Sequence, residues 1–327
     1  MRNEAGSSFF EIEEAMSGIL KTILSAVGNT PLVELQRMTN ATMGSVLVKV
    51  EGLNVGGSIK TRTALNMVEA AEASGQLRPG SVVIEPTSGN QGIGLALVCN
   101  QKGYRCIIVM PDSVSEERHK LMRLYGAEIV LVEDHGNIGD CMDRCLEKAF
   151  ELRDSIPGGF VPQQFENPSN PAVHYEKTAQ EIIRQLEGRK VDAFCAGFGT
   201  GGTISGIGSA LRKVFPDLRI VAAEPENAAI LAGGAIGSHL QQGIGDGFIP
   251  KNLNREILNG NYIVTDHEAL TTARNLALLE ALPAGISSGT NVACALRLAR
   301  ELGPGCTVLT VLPDSYDRYF STPLFEY

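Results

Sequence analysis

Lys60 closes the stretch Gly56-Gly57-Ser58-Ile59-Lys60, in which two glycines and a serine precede an amine at the start of a helical pattern. The glycines let the backbone pass close to a flat ligand, and an amine withdrawn from water loses its charge more readily, becoming a nucleophile and a base. Three further stretches carry complementary chemistry. Thr87-Ser88-Gly89-Asn90-Gln91 lies between an apolar strand ending at Glu85 and an apolar helix, so its hydroxyls and N–H groups can clamp a carboxylate at a helix N-terminus. Gly199-Thr200-Gly201-Gly202-Thr203 follows a strand ending at Ala196 and opens a helix, which makes an anion cradle of backbone N–H groups helped by the hydroxyls of Thr200 and Thr203. Gly285-Ile286-Ser287-Ser288-Gly289 reads as a glycine-rich turn before a helix from Asn291, with Ser287 as its polar group.

The cradle has a rival reading. Gly197, Gly199 and Gly202 spell GxGxxG, and Glu224 follows about twenty residues on, at the end of the next strand, which is the dinucleotide fingerprint. Taken alone the segment points to an NAD oxidoreductase. Its place in the second half of the chain, together with the Lys60 and Asn90 loops, argues against that.

These loops need a scaffold, and the chain supplies one by alternating short apolar strands with amphipathic helices, the α/β signature. Strands are expected at Val46–Val50, Val82–Glu85, Cys106–Met110 and Glu128–Val132, and a helix opening on a Ser113/Glu116 capping box. Ile138, Met142, Cys145, Ala149 and Leu152 share one helical face as a core stripe. A Pro, Gly and Asn cluster from Pro157 to Pro171 marks a boundary, after which the alternation resumes with Ala179–Leu186, Ala193–Ala196, a helix from Thr203 and Ile220–Glu224. A ligand is expected in the cleft between two α/β halves, at the carboxyl ends of the strands.

The chain has 327 residues, 43% of them hydrophobic, enough for two domains with filled cores. A net charge of −9 with scattered Lys and Arg offers no basic footprint for nucleic acid. No apolar run is long enough to span a bilayer and residues 1–20 lack a signal-peptide pattern, so a cytoplasmic protein acting on a small molecule is expected. The seven cysteines (99, 106, 141, 145, 195, 294 and 306) lack metal spacing and read as reduced core residues; no metal is expected.

The four stretches, with Gly28-Asn29-Thr30-Pro31-Leu32, Gln164-Phe165-Glu166-Asn167-Pro168, Gly243-Ile244-Gly245-Asp246-Gly247-Phe248 and Arg318-Tyr319-Phe320-Ser321, resemble the pyridoxal phosphate (PLP) enzymes of fold type II, and within them the cysteine synthase (O-acetylserine sulfhydrylase) and cystathionine β-synthase group, from about residue 20 to the C-terminus. The resemblance implies two three-layer α/β domains with PLP in the cleft between them. It implies a flexible leader (1–20), a smaller mobile domain (45–157) bearing the substrate carboxylate loop, and a larger domain (21–44 plus 158–327) bearing the phosphate loop. By the same resemblance Lys60 carries PLP, Asn90 lies beside the ring 3′-oxygen, Gly199 to Thr203 hold the phosphate and Ser287 faces the ring nitrogen. Thr87 to Gln91 and Gln164 bind the substrate carboxylate. A hydroxyl at the ring nitrogen does not enforce a protonated ring, and the weaker electron sink suits β-elimination and replacement. The implied reaction is β-replacement on a serine or cysteine derivative through α-aminoacrylate, with O-acetylserine plus sulfide as the first choice. Cystathionine β-synthase, cysteine lyase and diaminopropionate-type synthases share these loops. Also implied are a homodimer and a cleft open to the C-terminal tail of serine acetyltransferase, which leaves a non-catalytic binding subunit as an alternative.

The chain departs from the group's usual pattern at Val55, where Pro is usual, at Thr61 (Asp), at Gln91 (Thr) and at Asp246 (a small residue). Gln91 and Asp246 put the donor and nucleophile in question, because a carboxylate at the cleft mouth can act as general base on a neutral nucleophile. His174 follows the Asn-Pro segment, but Lys60 suffices for the proton transfers, so no role is assigned to it or to His119, His135, His239 and His267.

Overall fold

The computed structural model describes residues 18–87, 89–135 and 138–326. The first half contains β1 (Leu32–Glu34), β2 (Ser45–Val50), α1 (Lys60–Ala73), β3 (Val82–Pro86), α2 (Asn90–Lys102), β4 (Arg105–Pro111), α3 (Glu116–Leu124), β5 (Glu128–Val132), α4 (Ile138–Ser155) and β6 (Gly159–Phe160). The second half contains α5 (Ser169–Val173), α6 (Ala179–Gln185), β7 (Ala193–Gly197), α7 (Gly202–Val214), β8 (Arg219–Pro225), β9 (Asn261–Val264), α8 (Asp266–Glu280), α9 (Ile286–Leu302) and β10 (Thr307–Leu312).

Two sheets result: a six-stranded one in the order β1-β2-β10-β7-β8-β9, and a four-stranded one in the order β5-β4-β3-β6. All neighbours are parallel except β1 and β2. Parallel strands need crossover helices on their faces, which explains why these strands read as continuous apolar runs rather than alternating ones. The pleat then divides each run. Val46, Val48, Ala193, Cys195, Val221, Val308 and Leu312 pack with Val292, Leu296 and Leu298 of α9, whereas Leu47, Phe194, Ala196, Ile220 and Leu309 pack with Ile182 of α6 and Ile204, Ile207 and Leu211 of α7. In the smaller sheet Val83, Cys106 and Ile108 meet α1, α2 and Met122 of α3, and Val82, Ile84, Ile107 and Val109 meet Cys141, Cys145 and Ala149 of α4. Each sheet is thus the middle of three layers, the expected α/β architecture. All seven cysteines are free thiols, six of them buried. Among the described residues no helix is long and apolar enough to cross a membrane.

Some boundaries fall elsewhere than the sequence suggests. Segment 45–50, assigned to the smaller unit, pairs with β10 in the six-stranded sheet, and segment 159–160 pairs with β3 in the four-stranded one. The helix expected from Asn291 begins at Ile286, because Gly289 marks helix packing rather than a turn: a Cβ there would lie 1.9 Å from the Ala269 carbonyl of α8. Ser113 caps no helix. Its hydroxyl donates to Asp134 at 2.5 Å, and α3 starts after Ser115.

Candidate active site

The cleft opens where strands of both sheets end. Lys60, Thr87, Gly89, Asn90, Gln91 and Gln164 line it from one side, and Gly199, Thr200, Gly201, Thr203, Asp246 and Ser287 from the other. Gly202 lies just behind this wall at the start of α7, and Ser88 lies outside the described residues.

Lys60 is the first residue of α1. Before it Gly56 and Gly57 adopt left-handed conformations (φ 73° and 71°), which non-glycine residues rarely take. Arg318 braces this turn, its guanidinium donating to the Gly57 carbonyl at 2.7 Å and to that of Gly56. Burial pushes the Lys60 amine below its ordinary pKa, while the carboxylates of Asp246 and Asp314 pull the other way. The neutral amine is thereby more accessible than on a surface lysine.

The carboxylate loop links β3 to α2. Thr87 donates its N–H to the Val109 carbonyl at 3.0 Å, and its hydroxyl oxygen accepts from the Gly89 N–H at 3.2 Å. Asn90 opens α2 and donates Nδ2–H to Asp314 Oδ2 at 2.6 Å; its Oδ1 is buried without a partner. Gln91 is 1% exposed, accepts from the Thr63 hydroxyl at 2.6 Å and keeps an unpaired Nε2. Gln164 is fixed through its backbone, its N–H on Glu85 Oε1 at 2.9 Å and its carbonyl accepting from Asn170 and Asn252, both at 2.8 Å. Burial raises Glu85 to about 7 against the pull of the Gln164 and Gln163 N–H groups.

On the opposite side, Gly201 takes a left-handed conformation (φ 77°) just before α7. Added Cβ atoms would strike Gly243 O at 2.6 Å from Gly199 and Asn170 Oδ1 at 2.0 Å from Gly202, so only bare backbone fits. Thr200 Oγ1 accepts from Asn170 Nδ2 at 2.9 Å and from the Gly202 N–H at 3.4 Å, which leaves its own proton to donate to an anion. Thr203 Oγ1 lies 3.5 Å from Nε2 of buried His174. Ser287 sits in the first turn of α9 and is 4% exposed. Asp246 is carried by a loop with left-handed Gly243, Gly245 and Gly247, tied to the cradle by the Gly245 N–H on Phe198 O at 3.1 Å. Its pKa is raised by burial, opposed chiefly by the charge of Lys60.

The dinucleotide reading fails here. Both oxygens of Glu224 are engaged, one by the Leu231 N–H at 2.8 Å and one by Asn261 Nδ2 at 2.6 Å, so the acid that should meet a ribose holds a loop and a strand instead. Residues 23–314 match the model of the family described as "Pyridoxal-phosphate dependent enzyme". The chain belongs to that family. It is 47% identical over 305 residues to a cysteine synthase of Staphylococcus aureus (strain Mu50), covering 93% of this chain and 97% of that protein. The crystal structure of an O-ureido-L-serine synthase superposes with a TM-score of 0.89 at 43% identity, covering 94% of this chain and 96% of the other. The O-acetylserine dependent cystathionine β-synthase from Helicobacter pylori superposes with a TM-score of 0.87 at 35% identity over 94% and 99% of the two chains.

The residues present fit the cofactor of a pyridoxal-phosphate dependent enzyme. A cradle closed to any Cβ suits a phosphate, the desolvated Lys60 suits the aldehyde, and the orphaned Asn90 Oδ1 suits a polar ring substituent. Sequence reasoning missed Arg118, Asn170, Gln242 and Asp314. Arg118 is 3% exposed, lies over the Tyr319 ring at 5.1 Å, donates to Gln242 across the cleft and retains an unpaired Nε. The Asn-Pro segment carried a signal for Asn170; nothing in the local pattern around Arg118 or Asp314 pointed to them.

Proposed function

We propose that the chain is a cytoplasmic homodimeric cysteine synthase, catalysing β-replacement on O-acetyl-L-serine with sulfide to give L-cysteine and acetate. The observation that carries this reading is the position of Lys60, a desolvated amine between a carboxylate-binding helix N-terminus and an anion cradle. Bound PLP supplies an electron-poor ring that acidifies the substrate α-carbon. Gly199 to Thr203 would hold its phosphate at the start of α7, with Ser287 toward the ring nitrogen and Asn90 toward the 3′-oxygen. Thr87, Ser88, Gly89 and Gln91, with Gln164, hold the substrate α-carboxylate at the start of α2 and fix the α-hydrogen toward Lys60. Lys60, its amine freed more readily by burial, takes that proton while the β-substituent departs. The smaller unit, the four-stranded sheet with the helices packed on it, closes on the bound carboxylate and excludes water. The same cleft suits the C-terminal tail of serine acetyltransferase.

Asp246 favours a second reading of the addition step. Its carboxyl, raised by burial at the back of Gly199, can take a proton from a neutral thiol, amine or water, as in cystathionine β-synthase, cysteine lyase or a diaminopropionate-type synthase. The decisive experiment is a product screen of O-acetylserine, O-phosphoserine, serine and cysteine, each with sulfide, homocysteine, amines and water. Cysteine from O-acetylserine and sulfide as the fastest product supports the reading, whereas PLP-loaded protein inert with every donor would make it a binding subunit. Asp246→Ala should suppress thiol, amine and water products while sparing sulfide; equal loss of all four would remove Asp246 from the addition step.

A further inference from the structure

We infer that Asp314 is a positioning residue for this site, its carboxylate fixing the orientation of the Asn90 amide and balancing the charge at Lys60. The inference rests on Lys60 as the lysine that carries PLP.

Asp314 follows β10 and is 1% exposed. Its Oδ2 accepts from Asn90 Nδ2 at 2.6 Å and from the Tyr319 hydroxyl at 2.7 Å. An ionised carboxylate only accepts hydrogen bonds, so it is met by the NH2 end of Asn90, and the amide oxygen is left on the cleft side, where it has no protein partner. The backbone is held as firmly. Ser58 forms a bridge with Asp314, the Ile59 N–H donates to Pro313 O at 2.8 Å, and the Gly285 N–H donates to Asp314 O at 3.1 Å. One residue therefore touches the lysine loop, the carboxylate loop and the turn leading to Ser287.

The charges of two carboxylates act on Lys60, and these are held in different ways: Asp246 on a glycine-rich loop, Asp314 just past the end of a central strand. The other groups packed around them are also charged or polar. Arg118 lies over Tyr319, Arg318 grips the Gly56-Gly57 turn, and neutral His174 feels the Lys60 charge from the α5 side. Burial and the Asp314 charge raise the Tyr319 hydroxyl, which keeps it a donor to the carboxylate. A fixed negative charge beside Lys60 favours the protonated form of whatever is attached to that nitrogen.

The test is a pH titration of the visible absorbance of PLP-loaded protein, read with cofactor circular dichroism and steady-state kinetics. Asp314→Asn should lower the titration midpoint by about one pH unit and change the dichroism. It should also lower kcat about tenfold while leaving KM little changed. Tyr319→Phe, which removes only a donor to the same oxygen, should shift the midpoint the opposite way and by less. It serves as the readout where Asp314→Asn does not fold. A normal wild-type band with both variants superimposed on it overturns the inference alone, as does Tyr319→Phe superimposing on wild type where Asp314→Asn does not fold. Wild-type protein whose chromophore is not fixed to Lys60 by borohydride overturns the reading of Lys60 and the inference with it.

Discussion

On the six-stranded side of the cleft the wall is bare backbone: Gly199, Gly201 and Gly202 come so close to Gly243, Leu253 and Asn170 that no Cβ fits. On the four-stranded side the wall is side chains, and Asn90 Oδ1, Gln91 Nε2 and Arg118 Nε are buried there without partners, against Asn170 Oδ1 behind the cradle. Unpaired buried polar atoms cost stability, of order 1–3 kcal/mol each, and persist where a ligand completes them. Backbone built to one shape suits a group that stays; side chains awaiting partners suit one that comes and goes. On the proposed reading the cradle wall takes the cofactor's phosphate and Gln91 and Arg118 face the substrate, while Asn90 reaches the cofactor ring from the substrate's side.

The largest effect should come from the lysine on which both proposed binding steps depend. Lys60→Ala removes nucleophile and base together, so kcat should fall roughly 10⁴-fold and borohydride should no longer fix a chromophore in the protein. Activity within tenfold of wild type would break the assignment. Next comes the joint between the walls. Arg62 of α1 bonds Glu51 at 2.9 Å and Glu181 at 2.6 Å, and Glu181 also takes Lys49 of β2 at 2.8 Å. Burial alone would raise Glu181, but Arg62 and Lys49 hold it at about 2, below the usual 4.5. A depressed carboxylate contributes its full stability above the unfolded value and loses it as pH falls toward the folded one. Denaturant unfolding should therefore lose about 3 kcal/mol between pH 4.5 and 2 through this residue, and Glu181→Gln should flatten that slope. An unchanged slope would place the acid sensitivity elsewhere.

The backbone wall was the more legible of the two from sequence. Glycines and threonines opening a helix after a strand, as at Gly199 to Thr203, declare an anion site within five residues, and Lys60 and Asn90 likewise sit at helix starts. The α/β class followed from the alternation of short apolar strands with amphipathic helices. What stayed hidden depends on partners far apart in the chain. Asn90 meets Asp314 across 224 positions, Arg118 meets Gln242 across 124, and Glu85 meets Gln164 across 79. None of these carries a local pattern, because its meaning arises only when the sheets assemble. Gly289 was misread for the same reason, its need for a missing side chain lying in α8 rather than in its own turn.

A methyl group sharpens the cradle side. Gly202→Ala would set a Cβ 2.0 Å from Asn170 Oδ1, and Asn170 cannot withdraw without releasing Thr200 and the Gln164 carbonyl. PLP affinity, measured by fluorescence titration of the apo protein, should fall roughly tenfold to a hundredfold, with KM for the amino acid less affected in the fully loaded enzyme. Unaltered affinity would mean the cradle gives way, and with it the rigid half of the comparison.

The smallest effect belongs to the side-chain wall. Gln91→Ala removes the unpaired Nε2 and frees Thr63, but it leaves the start of α2 and the Thr87 loop in place. One hydrogen bond to a carboxylate is worth about 1.5 kcal/mol at the low end of its range, so KM for the amino-acid donor should rise about tenfold while the PLP content and spectrum stay as in wild type. The opposite split, PLP lost with KM unchanged, would put Gln91 on the cofactor's side of the cleft. Because Gln91 lines one wall of the cleft and Gly202 lies just behind the other, the two variants together show whether the walls act separately: independent walls give additive losses, whereas a cofactor that must be seated before the carboxylate loop can bind makes the double variant depart from the sum.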